Sequence, residues 1–230
     1  MTPPFFIFVL PLRNAVMKKA FIVIVLFALP IVAYLFFASG VHNFAKLPTL
    51  TEEVHDLDAF RTLDGDSVFF QKNITILGFF GEKPLDYSGH SYNLAEKIYD
   101  GYFKFKDFQL LIVVPEGTQE EVQQLQKEIA GLVDMRKWKF IFASPEEIRT
   151  LFRSLDTDLE LNENLATQYV FILDKKGRLR GRTDDEDSGV LYGYDTSSVA
   201  ILDDKMNDDV KVILAEYRLA LKKYNKENEQ

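Results

Sequence analysis

The sequence predicts an α/β protein with a parallel-cored sheet, helices on both faces, and one membrane-spanning helix ahead of it. Three observations carry this. Residues 20–38, AFIVIVLFALPIVAYLFFA, form an apolar run of 19 positions without a charge. Beyond residue 56, short β-branched and aromatic runs alternate with segments whose apolar residues recur at helical spacing. Turn and capping signals separate these runs, as strand–helix alternation requires.

At 1.5 Å per residue the 20–38 segment nearly matches a hydrocarbon core of about 30 Å. A secretory signal has a shorter apolar region, so an uncleaved anchor is expected. Arg13, Lys18 and Lys19 precede the segment and only Lys46 follows soon after. The positive-inside rule then places the N-terminus in the cytoplasm and the large domain outside. Residues 1–19 read as a cytoplasmic leader. Met17-Lys18-Lys19 resembles an ordinary start before a membrane signal, so translation is expected to begin at Met17.

Residues 39–56 read as a connector and 57–224 as the folded domain. Leu63-Asp64-Gly65-Asp66 is a turn signal between apolar flanks and predicts a hairpin over 60–70. Ile74–Phe80 is a buried strand, a helix covers about 89–100, and Asp107–Val114 is the next strand, stopped by Pro115-Glu116-Gly117. Thr118 with Glu121 reads as a capping box opening a helix whose apolar face is Val122, Leu125, Ile129 and Leu132. Trp138–Ala143 is a strand. Ser144-Pro145-Glu146-Glu147 is a second capping box, with proline at the first helical position. Ile148, Leu151, Phe152 and Leu155 follow it at helical spacing.

Tyr169–Leu173, the turn Asp174–Gly177 and Arg178–Arg182 predict a hairpin at a sheet edge. Asp184–Asp187 reads as a solvated acidic loop lacking the ligand spacing of an EF-hand, with Arg178, Arg180 and Arg182 neutralising it. Val190–Tyr194 is expected to pack over the sheet edge. A helix over 207–224 turns Val210, Ile213, Leu214, Tyr217 and Leu221 inward, and 225–230 is a disordered tail.

Net charge is −8, which argues against a nucleic-acid binder. There is no cysteine, which excludes disulfides, thiol nucleophiles and thiolate metal sites. Three histidines without a nucleophile elbow give no reason to propose a Ser–His–Asp set.

The order of elements resembles the thioredoxin fold and, more narrowly, the Sco/SenC family of membrane-anchored copper proteins. Asp64-Gly65, Gly78-Phe79 and Tyr169–Gly177 stand in order where that family has a hairpin turn, a strand ending in Gly-Phe, and an apolar strand with its turn. The likeness covers roughly residues 57–182. In the family a Cys-x-x-x-Cys loop and a later histidine hold copper. Carried across, the cysteines fall on Glu82 and Asp86 and the histidine on Ala166. The family's copper delivery to cytochrome oxidase and its thiol chemistry depend on those ligands. Cu(I) selects thiolate and thioether donors, so the carboxylates cannot replace them. The resemblance therefore implies a degenerate member.

Glu82 and Asp86, with His90, are the remaining candidates for a hard-cation site, set against a solvated loop of ordinary acids. No catalytic residue, cofactor or resident metal is expected, and the chain does not read as an enzyme. The expected function is a non-catalytic, Sco-like accessory or scaffold protein of the cell envelope. It would be anchored in the inner membrane with its domain on the periplasmic side, bind a membrane or envelope protein, and serve in respiratory-oxidase assembly. The alternative is a carboxylate-based metal-binding domain built on Glu82 and Asp86.

Overall fold

A computed structural model describes residues 25–32 and 46–228, with side chains through Ala220. Residues 25–32 are helical. Among the described residues no helix is long and apolar enough to cross a membrane. Much of the expected 20–38 span, and all of the 1–19 leader, lie outside them.

The elements from residue 46 onward are, in chain order, β1 (Thr49–Thr51), β2 (Arg61–Thr62), β3 (Ile74–Phe80) and α1 (Ser88–Leu94). Helix α1 follows a tight turn at Pro84–Tyr87 and continues through a wide π-type turn, Ala95–Tyr99, to Asp100–Tyr102. Next come β4 (Phe108–Pro115), α2 (Gln119–Ala130), β5 (Trp138–Ala143), α3 (Pro145–Ser154) and β6 (Ala166–Leu173). Then β7 (Leu179–Arg180), β8 (Arg182–Asp185), β9 (Gly189–Leu191) and β10 (Tyr194–Asp195) lead through Ile201–Met206 into α4 (Asn207–Asn228).

The main sheet runs β1-β7-β6-β3-β4-β5-β2, with β10 also pairing with β6. β3, β4 and β5 are parallel, and β6 runs antiparallel to β3. Every residue of β3 and β4 is buried, as expected for central strands covered on both faces. Alternate residues supply two cores. Ile76, Phe80, Leu110 and Ile112 pack with Leu94, Val122, Leu125 and Val210 from α1, α2 and α4. Leu77, Phe79, Leu111 and Val113 pack with Ile148, Leu151 and Phe152 of α3 on the other side. The expected layers follow from this period of two. Each such fully buried side chain contributes about 2 kcal/mol.

Several local expectations change. The Ser144–Glu147 capping box forms, but that at Thr118 does not: its hydroxyl donates to Pro115 O at 2.8 Å, leaving the helix end without a side-chain cap. Leu132 lies past the end of α2 and is 61% exposed. The Asp64-Gly65 turn closes with Gly65 at φ 84°, but the backbone of the returning arm makes only a Thr62 N–Asp66 O bond at 3.0 Å and an isolated bridge from Ser67 to Arg61, whose other edge pairs with β5. β7 is not the edge. Residues from the expected connector form β1 beside it, and Leu47 is buried there. α4 continues to Asn228 rather than ending before a disordered tail at 225.

The alternating arginines do not neutralise the acidic loop together. Arg178 and Arg180 both donate to buried Asp174, and Arg180 also reaches Leu47 O and Glu216. Arg182 donates to Asp209, which also accepts from buried Tyr194. Nor is the acidic loop wholly solvated. Asp185 is buried, accepts from Ser188 and pairs with Lys205 at 2.8 Å. The Lys205 ammonium holds its carboxyl below the usual range.

Candidate functional site

The loop after β3 meets the head of β6 at the carboxyl end of the parallel strands, where ligands gather in open α/β sheets. Phe80 pairs with Ala166 after a register shift beyond Gly78. Gly81 then turns with φ 64°, and a Cβ there would lie 2.0 Å from Asn164 O. Only glycine permits so close an approach in the left-handed region. Glu82 N donates to the same carbonyl at 2.8 Å.

Asn162 folds the other half of the junction. Its side-chain oxygen accepts from Asn164 N at 2.9 Å and Ala166 N at 3.0 Å, and its own backbone amide donates to Ala166 O. Leu165, held between them, adopts φ 62°, a strained value for a branched side chain. Glu82 and Asp86 are exposed, whereas Ala166 is buried against Gly81. The fold thus sets the backbone of residue 82 beside the start of β6, with no cysteine in the chain to use the junction.

His90 has a different employment. Phe80 stacks on Tyr87 at 4.9 Å between ring centres, and Tyr87 packs on His90 at 4.9 Å. His90 Nδ1 lies 2.7 Å from Thr196 Oγ1, while that hydroxyl is 2.6 Å from Gln168 O and must donate its single proton there. Thr196 therefore accepts from His90, which fixes the proton on Nδ1 and leaves the lone pair on Nε2. Burial pulls the imidazole below its ordinary pKa, against a smaller upward pull from Asp195. Asn93 Nδ2 donates to Thr196 O, so two α1 side chains tie down the segment after β10.

Among the described residues no three His, Cys, Asp or Glu side chains come together to hold a metal ion. Glu82, Asp86 and His90 are not gathered into such a group. Thr196 is no activated nucleophile, since its proton points to a carbonyl. Sequence reasoning missed Tyr87, Asn162 and Thr196. Only the turn-forming Asn162-Glu163-Asn164 left a local signal.

No protein-family model matches the chain, and no curated protein is similar to it in sequence. Solved structures are similar to it in fold. A SCO1/SenC family lipoprotein from Bacillus anthracis superposes with a TM-score of 0.52 at 13% identity, over 74% of this chain and 99% of that one. BsSco, a member of the Sco family of cytochrome c oxidase assembly proteins, gives 0.50 at 12% identity, over 74% and 98%. Arabidopsis thaliana ScoI with copper bound gives 0.46 at 17%, over 69% and 98%. At these identities the first two likenesses establish the fold alone, a thioredoxin-like sheet with helices on both faces.

Proposed function

We propose that this protein is a degenerate Sco-type accessory or scaffold of the cell envelope. In this reading residues 20–38 anchor it in the inner membrane, the domain lies on the periplasmic side, and it engages a protein of the respiratory oxidase during assembly. One observation carries the proposal: Gly81, Glu82 and Ala166 meet at the carboxyl end of the parallel strands, with Gly81 set against Asn164 O, in a chain without cysteine. Thiol exchange and Cu(I) transfer need sulfur, so what the junction offers is a shaped surface. The link to the oxidase rests on analogy of fold.

The test is crosslinking from native membranes followed by a copper competition. The full chain should crosslink to an oxidase subunit or assembly protein, and the purified protein should take no Cu(I) from a competing chelator. Tight Cu(I) binding by the wild type would refute the degenerate-site reading. Crosslinks confined to soluble proteins would refute the membrane role.

A further inference from the structure

At the other end of the sheet lies a cavity of about 440 Å³ that the junction does not use. Its floor is apolar, formed by Ile74, Tyr102, Leu214 and the half-exposed Phe105. Among the described residues its rim carries Lys106, Lys175, Lys211 and Arg218 against one acid, Asp107. That acid is occupied by Lys175 at 2.7 Å, and the same ammonium lies 5.1 Å over the Tyr217 ring. Lys211 has an exposed partner, Asp208, at 3.0 Å. A cationic rim over an apolar floor is unexpected in a chain of net charge −8.

The cavity adjoins the place where the chain enters the domain. Arg180 holds Leu47 O and, through Nη2, Glu216 at 2.7 Å. Ala215 and Tyr217, on either side of Glu216, line the cavity. Residues 39–46 separate this point from the proposed span and reach at most about 29 Å when extended. An acidic domain on so short a tether is repelled by an anionic bilayer except where it presents a basic patch.

We propose that this cavity face docks on the anionic phospholipid surface of the bilayer that holds the anchor, with phospholipid phosphates met by the rim and Phe105 seated among the headgroups. The inference rests on the membrane anchor proposed above. β3 runs from Ile74 at the cavity to Phe80 at the junction, about 20 Å at 3.3 Å per residue. Docking by this face turns the Glu82–Ala166 junction away from the membrane, toward a partner.

The absence of cysteine makes the test clean. The full chain carrying Ala215→Cys is reconstituted in nanodiscs of phosphatidylcholine alone or with three-tenths phosphatidylglycerol, and its rate of maleimide labelling is measured. The rate should fall on the order of tenfold with phosphatidylglycerol, as one or two basic groups at an anionic surface supply. It should recover in high salt, which screens the attraction. Lys83→Cys, at the opposite end, should label equally in both discs. Adding Lys211→Glu and Arg218→Glu to Ala215→Cys should abolish the protection. Equal Ala215→Cys rates in both lipids, from a chain that floats with neutral vesicles, would overturn the docking alone. Failure to float with neutral vesicles would overturn the anchor and the docking with it.

Discussion

Replacing Asp174 by asparagine should destabilise the domain severely, because two arginines share this one buried carboxylate. Oδ2 accepts from Arg178 Nε at 2.9 Å, Arg178 Nη2 at 2.7 Å and Arg180 Nη1 at 3.0 Å, and Oδ1 accepts from the amides of Lys176 and Arg178. An amide would turn an NH2 toward guanidinium donors and leave Arg180, itself buried, with Glu216 as its only anion among the described residues. Breaking such a pair from one side costs about 3–5 kcal/mol. In a domain of this size that lowers the melting temperature by about 10 °C. Burial alone would raise the carboxyl pKa, but the arginine and backbone hydrogen bonds outweigh it and hold it below its ordinary value. A depressed carboxyl contributes stability above its unfolded pKa of about 3.9 and loses it as pH falls further. Thermal melts of wild type and Asp174→Asn, for a protein beginning at Lys46, should differ at pH 7 and converge below about pH 4. A difference under 2 °C at pH 7, or one that widens in acid, would refute the reasoning.

Two further outcomes follow from geometry. Gly81→Ala should destabilise by about 2 kcal/mol or more, since it adds a left-handed penalty to a Cβ pressed on a backbone oxygen, and urea unfolding measures it. Glu147→Ala should cost about 1 kcal/mol through loss of its reciprocal cap, while Glu121→Ala should stay within about 0.5 kcal/mol; equal losses in paired melts would contradict the assignment of one formed and one unformed box.

The strands of the parallel core were legible because long apolar runs need no partner to be recognised. Ile74–Phe80 and Trp138–Ala143 have the bounds their composition predicts. The two capping signals were indistinguishable in sequence. Ser144 meets Glu147 because Pro145 opens the helix, whereas the Thr118 hydroxyl finds the Pro115 carbonyl first. β1 was illegible because Thr49–Thr51 has no local pattern, and its identity comes from β7 far along the chain. Asp185 looked solvated because the lysine that buries its charge lies 20 residues on. At the junction the approach of Glu82 to the start of β6 at Ala166 was readable only through the resemblance, and the turn at Gly81 that makes it was not read. The commitment of His90 to Thr196 depends on a contact across 106 positions that spacing does not reveal.

β1 also decides how the domain would bear a pull on its N-terminal side. Tension applied ahead of Lys46 reaches Leu47 and Pro48 first, where the Arg180 guanidinium and the Gly181 amide grip their carbonyls. Beyond that clamp the load enters an antiparallel pair of only two registered positions, Thr49 with Arg180 and Thr51 with Leu179. A drag along the strand must shear the clamp and the ladder together, while a lateral drag opens them one at a time. Once β1 is peeled away, β7 becomes a bare edge able to accept a strand from another chain. The short segment at the start of the fold is thus both its mechanical fuse and the cover that keeps the sheet from pairing with its neighbours.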